Sequence, residues 1–222
     1  MHQVLAILSA YSIWRHLTSK PLSSRLYVYI FAIIFLSTLL LQSGFLIYRN
    51  RAMGSGYSRA YISHVNDIVK IRLSLSRPLR IEAGQYIGLW IPGVSFWSFL
   101  QTHPFTVTSW SEGEQNSLDL FIEPRGGLTQ RLLYHSKTHY GGPPCLALFS
   151  GPHGISAPVG DYETVLIISS GFGIAAQLPY LTQLIYGYNA CKTRTRRVHL
   201  VWQLETIGKP QIAVHKFESH NV

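Results

Sequence analysis

Three groups of residues could do chemistry. His2 and His16 stand 14 positions apart in a helix-prone stretch. That separation is about 21 Å along a helix axis, and the rotation is about 40° short of four full turns, so both imidazoles share one face. Imidazole is a common axial ligand for haem iron, and two of them near opposite ends of a membrane helix would hold two stacked haems. The plainer alternatives are a mobile terminal residue at His2 and a polar cap at His16. Gly171-Phe172-Gly173-Ile174-Ala175 follows an apolar strand and precedes a helical stretch. Glycines there permit a tight turn and bring a pyrophosphate close to a helix N-terminus. The alternative is an ordinary strand-to-helix turn. His103-Pro104-Phe105-Thr106 opens a third candidate, an extended segment with an aromatic side chain and a hydroxyl. Proline holds such a backbone extended. An edge strand that merely begins with proline reads the same way.

These groups need elements to position them. Residues 26–48 contain 23 positions without a formal charge, followed at once by Arg49 and Arg51. As a helix this stretch spans about 34 Å, enough for a hydrocarbon core of about 30 Å. Tyr27, Tyr29 and Tyr48 lie near its ends, where aromatic belts form. The arginines place that end, and everything after it, on the cytosolic side. Residues 1–17 form a second apolar stretch whose charge comes late, at Arg15, unlike a signal peptide. Two antiparallel spans joined by a short outer loop are expected. After Tyr57, short β-prone runs at residues 60–65, 68–75, 85–91, 105–109, 118–122 and 146–149 alternate with glycine and proline breaks. Regular short strands of this kind predict a small antiparallel barrel. Residues 165–169, a glycine turn, a helical stretch to about 188 and a strand at 198–202 then predict a β-α-β unit.

Composition agrees. Charged residues make up only 13% of the 222-residue chain and apolar residues 47%, where soluble domains carry about 25% charge. The net charge of +9 comes without any dense basic run, which argues against nucleic acid and leaves an anionic membrane face or phosphate-bearing cofactors. Cys145 and Cys191, 46 positions apart, form neither a metal motif nor a disulfide framework and read as free thiols.

The His-Pro-Phe-Thr tetrad resembles the flavin-contacting motif of fungal ferric-chelate reductases and the related NADPH oxidases, within the ferredoxin-reductase superfamily. Its neighbours carry the resemblance further. Gly84-Gln85-Tyr86 through Pro92 is similar to the family's preceding barrel strand. Arg125-Gly126-Gly127-Leu128-Thr129 resembles the turn and helix start at the flavin pyrophosphate. Gly151-Pro152-His153-Gly154 resembles the barrel exit, and residues 165–175 with 198–202 resemble the NAD(P)H segment. The resemblance implies FAD held by His103, Pro104, Phe105, Thr106, Arg125, Gly127 and Thr129. Thr106 would be the hydroxyl at the reactive ring nitrogen, with His103 and Phe105 framing the ring. It implies NAD(P)H, NADPH favoured, at Gly171, Gly173, Ile174, Ala175 and Trp202, and haem b on His2 and His16. Glu205 would favour NADH, and Arg194, Arg196 and Arg197 would favour NADPH.

The fold class implied is two N-terminal transmembrane helices, an antiparallel FAD-binding barrel and a partial α/β nucleotide-binding domain, over residues 1–50, 57–155 and 162–222. The function implied is electron transfer from NAD(P)H through FAD and haem to an extracellular ferric chelate. The expected location is the plasma membrane in contact with lipid, with flavin and nicotinamide parts cytosolic. A superoxide-forming NADPH oxidase shares every motif. Measured against the family, the chain reads as truncated at both ends, with the nicotinamide domain stopping after its second strand. That gap allows a third reading, a non-catalytic paralogue that partners an intact reductase homologue.

Overall fold

The computed structural model describes residues 2–16, 22–52, 54, 56–95, 103–139, 141–206 and 209–218, with side chains described except at 2–3, 16, 22–25 and 204–218. The chain divides into two units, Met1–Tyr48 and Arg49–Val222. The first unit holds helix α1 (His2–His16) and most of helix α2 (Leu22–Asn50). Long apolar side chains on α2 are exposed around its circumference, including Leu40 and Leu41 at 73% each. A helix apolar all round belongs in lipid or in a protein core. Among the described residues α2 is the one helix with the length and composition to cross a membrane, over Leu26–Asn50. Helix α1 has 15 residues, or about 22 Å, less than a hydrocarbon core of about 30 Å. Of the two expected spans, the described residues show one helix long and apolar enough to cross a membrane.

The second unit begins with a short hairpin, β1 (Arg51–Ala52) and β2 (Gly56–Tyr57). Strands β3 (Arg59–Val65) and β4 (Ile68–Arg80) follow as a longer one. Asn66 and Asp67 take φ of 46° and 62°, the positive values that a two-residue hairpin turn needs. Strand β5 (Tyr86–Trp90) pairs with β6 (His103–Thr106), and β7 (Glu114–Ile122) returns to pair with β4. Helix α3 (Gly127–Thr138) comes next, then β8 (Cys145–Leu146) and β9 (Leu148–His153). These strands make two antiparallel sheets, ordered β7-β4-β3-β8 and β6-β5-β9. The strands of the expected small antiparallel barrel form, among the described residues, this pair of sheets over one core. Alternation along the strands explains the core. Val69, Ile71 and Leu73 on β4, Leu118 and Leu120 on β7, Ile87 on β5 and Phe149 on β9 are all 0–1% exposed. Helix α3 adds Leu128, Leu132 and Leu133.

Asn50 is wholly buried and clamps this core from the end of α2. Its Nδ2 donates to the Phe149 carbonyl at 2.8 Å, and its Oδ1 accepts from the Phe149 N–H at 3.0 Å. The side-chain amide thus imitates a neighbouring strand for β9. Its own carbonyl accepts from Ser58 N at 3.1 Å and Ser76 Oγ at 2.9 Å, so every polar atom that burial strips of water is repaid with a partner.

The third sheet is built from β10 (Thr164–Ser170), helix α4 (Leu178–Asn189), β11 (Arg197–Thr206) and β12 (Lys209–Glu218). Strands β10 and β11 pair in parallel through α4, which is the expected β-α-β unit. The expected end after the second strand is corrected. Strand β12 pairs antiparallel with β11 over its whole length, from Arg197↔Glu218 to Thr206↔Lys209.

Candidate functional site

Pairing across β5 and β6 fixes which side of the tetrad faces out. Thr106 lies opposite Tyr86, Phe105 opposite Ile87, Pro104 opposite Gly88 and His103 opposite Leu89. Side chains alternate faces along a strand. Ile87 and Leu89 are buried and Phe105 packs against the same core. His103 and Phe105 therefore share the inward face, while Pro104 and Thr106 share the outward one. Tyr86 and His153, paired across β5 and β9, stand on that outward face with ring centroids 5.5 Å apart. The tetrad thus turns one hydroxyl and one proline outward, beside an aromatic pair. The resemblance set His103 and Phe105 at the ring and gave Tyr86 no role; the register of β5 with β6 sets Tyr86 beside Thr106.

The turn before α3 is shaped by its own residues. Gly126 and Gly127 have φ of 151° and 54°, and a Cβ at either would meet nothing within 4 Å. The ground in front of the helix start is open, as an anion on backbone N–H groups requires. Thr129 Oγ1 accepts from the N–H groups of Arg125 at 3.0 Å and Gly126 at 3.3 Å, and donates to the Gly126 carbonyl at 2.8 Å. Its hydroxyl holds the turn. Arg125 Nε bonds Glu123 Oε2 at 2.9 Å, and the arginine side chain is 82% exposed.

The glycine turn departs from the expected form. Residues Gly171–Ala176 wind as a 3₁₀ turn, and α4 begins only at Leu178, with Pro179 in its first turn. Gly171 has φ of 49°, a left-handed value that glycine takes without strain. Ile174 packs on the small core of the third sheet and Ala175 is buried, so those two offer a ligand backbone only. Trp202, opposite Ser169 on the parallel strand, donates Nε1–H to the Gly171 carbonyl at 2.9 Å. That bond ties the turn to β11. Ser169 Oγ is buried without a partner among the described residues, and a Cβ on Gly173 would sit 3.3 Å from it.

His2 and His16 open and close α1, as one helix requires. Their side chains lie outside the described residues. Among the described residues no group of three or more His, Cys, Asp or Glu is placed to hold a metal ion.

Residues 56–169 match the FAD-binding domain family. The chain is 29% identical over 189 residues to ferric/cupric reductase transmembrane component 2 of Saccharomyces cerevisiae, covering 83% of this chain and 25% of that protein. It is 27% identical over 150 residues to NADPH oxidase 1 of Mus musculus, covering 66% of this chain and 24% of that protein. The chain thus spans about a quarter of the length of these relatives. Among solved structures, the ferredoxin reductase in carbazole 1,9a-dioxygenase superposes with a TM-score of 0.52 at 13% identity, over 67% of this chain and 42% of that one. That likeness shows a ferredoxin-reductase-like fold. With half its residues inside the family match and relatives of both kinds beside it, the chain belongs to the ferric reductase and NADPH oxidase family and carries a ferredoxin-reductase-type FAD-binding domain.

Proposed function

We propose that this chain serves transmembrane electron transfer from NADPH through FAD and haem b to a ferric chelate outside the plasma membrane. The observation that carries the reading is the outward pair Thr106 and Tyr86, set on a sheet whose other face is a packed core. Bound flavin supplies the redox chemistry, taking electrons in pairs and releasing them singly. The protein's share is placement. Thr106 would hold a hydroxyl at the ring, with Tyr86 and Pro104 as its wall. His103 and Phe105 would act from beneath, by stiffening β6. The N–H groups at Gly127 and the Arg125 guanidinium would receive the pyrophosphate, with Thr129 holding their turn. Gly171 and Gly173, tied by Trp202, would receive the nicotinamide nucleotide. His2 and His16 would hold haem b, whose iron would supply the one-electron chemistry of the membrane part. In this reading residues 1–50 are the membrane part, with α1 and α2 both embedded in lipid. Residues 57–155 are the flavin part and 162–222 the nucleotide part, both cytosolic.

Purified protein in detergent, supplied with FAD and haem, is expected to show a flavin spectrum and a Soret band. A protein that stays colourless sinks the reading. Thr106→Ala is expected to slow flavin reduction about 10- to 100-fold with an unchanged melting temperature. An unchanged reduction rate removes Thr106 from this role. The similarity to a mouse NADPH oxidase favours a second acceptor, molecular oxygen. Superoxide trapping against ferric-chelate reduction, in the same preparation, separates the two.

A further inference from the structure

Within the second unit, the flavin sheets and the third sheet meet at a few points around a cavity of about 220 Å³. Arg80 and Glu82 line one side, Gln183 and Thr193 the other. Gln183 Oε1 is buried there without a partner among the described residues. The two halves therefore touch through named contacts and not through a filled core. One contact comes from the loop between β6 and β7. Glu112 accepts hydrogen bonds from the Tyr186 hydroxyl and the Lys192 ammonium. The Trp110 ring meets the Tyr186 ring edge-on, with centroids 5.6 Å apart at 60°. Lys192 lies 5.8 Å from the centre of that same tyrosine ring.

The chain connects this contact to both proposed cofactor positions. Trp110 follows Thr106 by four residues, and the backbone between them is pinned. Val107 N donates to Gln85 O at 3.1 Å, and Thr108 N donates to Asp119 O at 2.9 Å. Thr108 Oγ1 bonds the same Asp119 carbonyl at 2.8 Å. On the other side, Tyr186 belongs to α4, whose first turn follows the Gly171–Ala176 turn directly. A shift at Glu112 is therefore a shift of the nucleotide turn relative to the flavin strand. From these contacts we infer that Trp110 and Glu112 are positioning residues that dock α4 and set the spacing between nicotinamide and flavin.

This inference rests on the proposed use of FAD and a nicotinamide nucleotide. The docking energy is small, since solvent screens an exposed ion pair. The rate is the sensitive quantity, because a misplacement of about 1 Å between reactants costs on the order of 100-fold. A weak dock over an unfilled cavity also opens readily to admit and release a nucleotide.

The test uses the full chain, loaded with FAD, in detergent. Glu112→Lys is expected to lower the rate of flavin reduction at saturating NADPH about tenfold. FAD content and the half-saturating NADPH concentration should stay within about twofold. Glu112→Lys combined with Lys192→Glu should restore most of the rate, which a purely structural role would not predict. Pulsed spin-label distances between Ser117→Cys and Thr182→Cys, with Cys145 and Cys191 changed to Ser, give a readout free of turnover. The distance distribution should broaden in Glu112→Lys and narrow again in the charge-swapped pair. An unchanged distribution overturns the dock, and a broadened one with an unchanged rate overturns the positioning role. A wild-type chain that takes up no flavin defeats the functional reading, while the distance measurement still decides the dock.

Discussion

The flavin sheets and the third sheet differ in how they are held together. Among the described residues, the flavin sheets enclose eighteen buried apolar side chains, with α3 covering them. The third sheet encloses four, Val165, Ile167, Leu184 and Leu200. Strand β10 shows why. Val165 and Ile167 point toward α4, while Leu166 and Ile168 on the other face are 59% and 68% exposed. A parallel pair is normally covered on both faces, and among the described residues only one face is. The flavin region therefore has a core of its own, and the third sheet leans on its neighbours. Truncating each core tests this contrast. Ile71→Ala, at 0% exposure, is expected to cost about 3–4 kcal/mol and to abolish flavin uptake near the new melting point. Leu184→Ala is expected to cost about 2–3 kcal/mol locally. It should raise amide exchange in β10, β11 and α4 while β4 and β7 stay protected. Equal loss of protection in both regions would mean one cooperative core and would remove the contrast.

Gly84 tests the joint between the regions. Its φ is 83°, and a Cβ there would collide with the ring and hydroxyl of Tyr180 on α4. The same hydroxyl accepts the Ala157 N–H at 3.2 Å. Gly84→Ala is expected to cost about 1–3 kcal/mol from backbone strain and crowding together. Most of the damage should fall on the third sheet, because β5 is paired on both sides and Tyr180 must yield, giving up its bond from Ala157 N–H. The double variant Gly84→Ala with Tyr180→Phe separates the causes. If removing the hydroxyl recovers none of the loss, strain at residue 84 and the Tyr180 ring carbons, 2.9 and 3.0 Å from the added Cβ, are responsible.

The same contrast governs what could be read from sequence. The span in α2 was legible because 23 uncharged residues between polar flanks leave few other structures. The strands on each side of the flavin core were legible because their hydrophobic pattern alternates and Gly or Pro marks their ends. What failed was information carried by partners distant in sequence. Phe105 and Thr106 were assigned together to one ligand, yet only the pairing of β6 with β5 shows that they face opposite ways. Nothing in the sequence singles out Asn50. Its burial follows from Phe149, 99 positions away. Strand β12 was missed because its stretch is polar at both ends and takes its order from β11. The glycine turn was recognised, but not its 3₁₀ winding or the Trp202 bond that ties it across the sheet.

The smallest expected effect is electrostatic and belongs to the outer face of the flavin sheets. Asp119 on β7 lies opposite Arg72 on β4. Arg72 donates to it through two nitrogens, at 2.9 and 3.2 Å, and Lys70 stands 3.6 Å away. The Arg72 hydrogen bonds, helped by the charges of Lys70 and Arg72 and opposed by partial burial, hold the Asp119 carboxyl below its usual range. A depressed folded-state pKa stabilises the protein above the unfolded value, near about 3.9. That contribution fades as pH falls through the folded value. Discounted for the solvent that screens a surface pair, it is about 0.5–1 kcal/mol. Asp119→Asn should lower the denaturant midpoint slightly at pH 7 and flatten its decline below about pH 4. A variant whose midpoint falls with acid as steeply as the wild type would show that other carboxylates carry the acid sensitivity. The third sheet would then be the place to seek them, since Glu112, held low by the Lys192 and Tyr186 hydrogen bonds, is the carboxylate that joins it to the flavin strand.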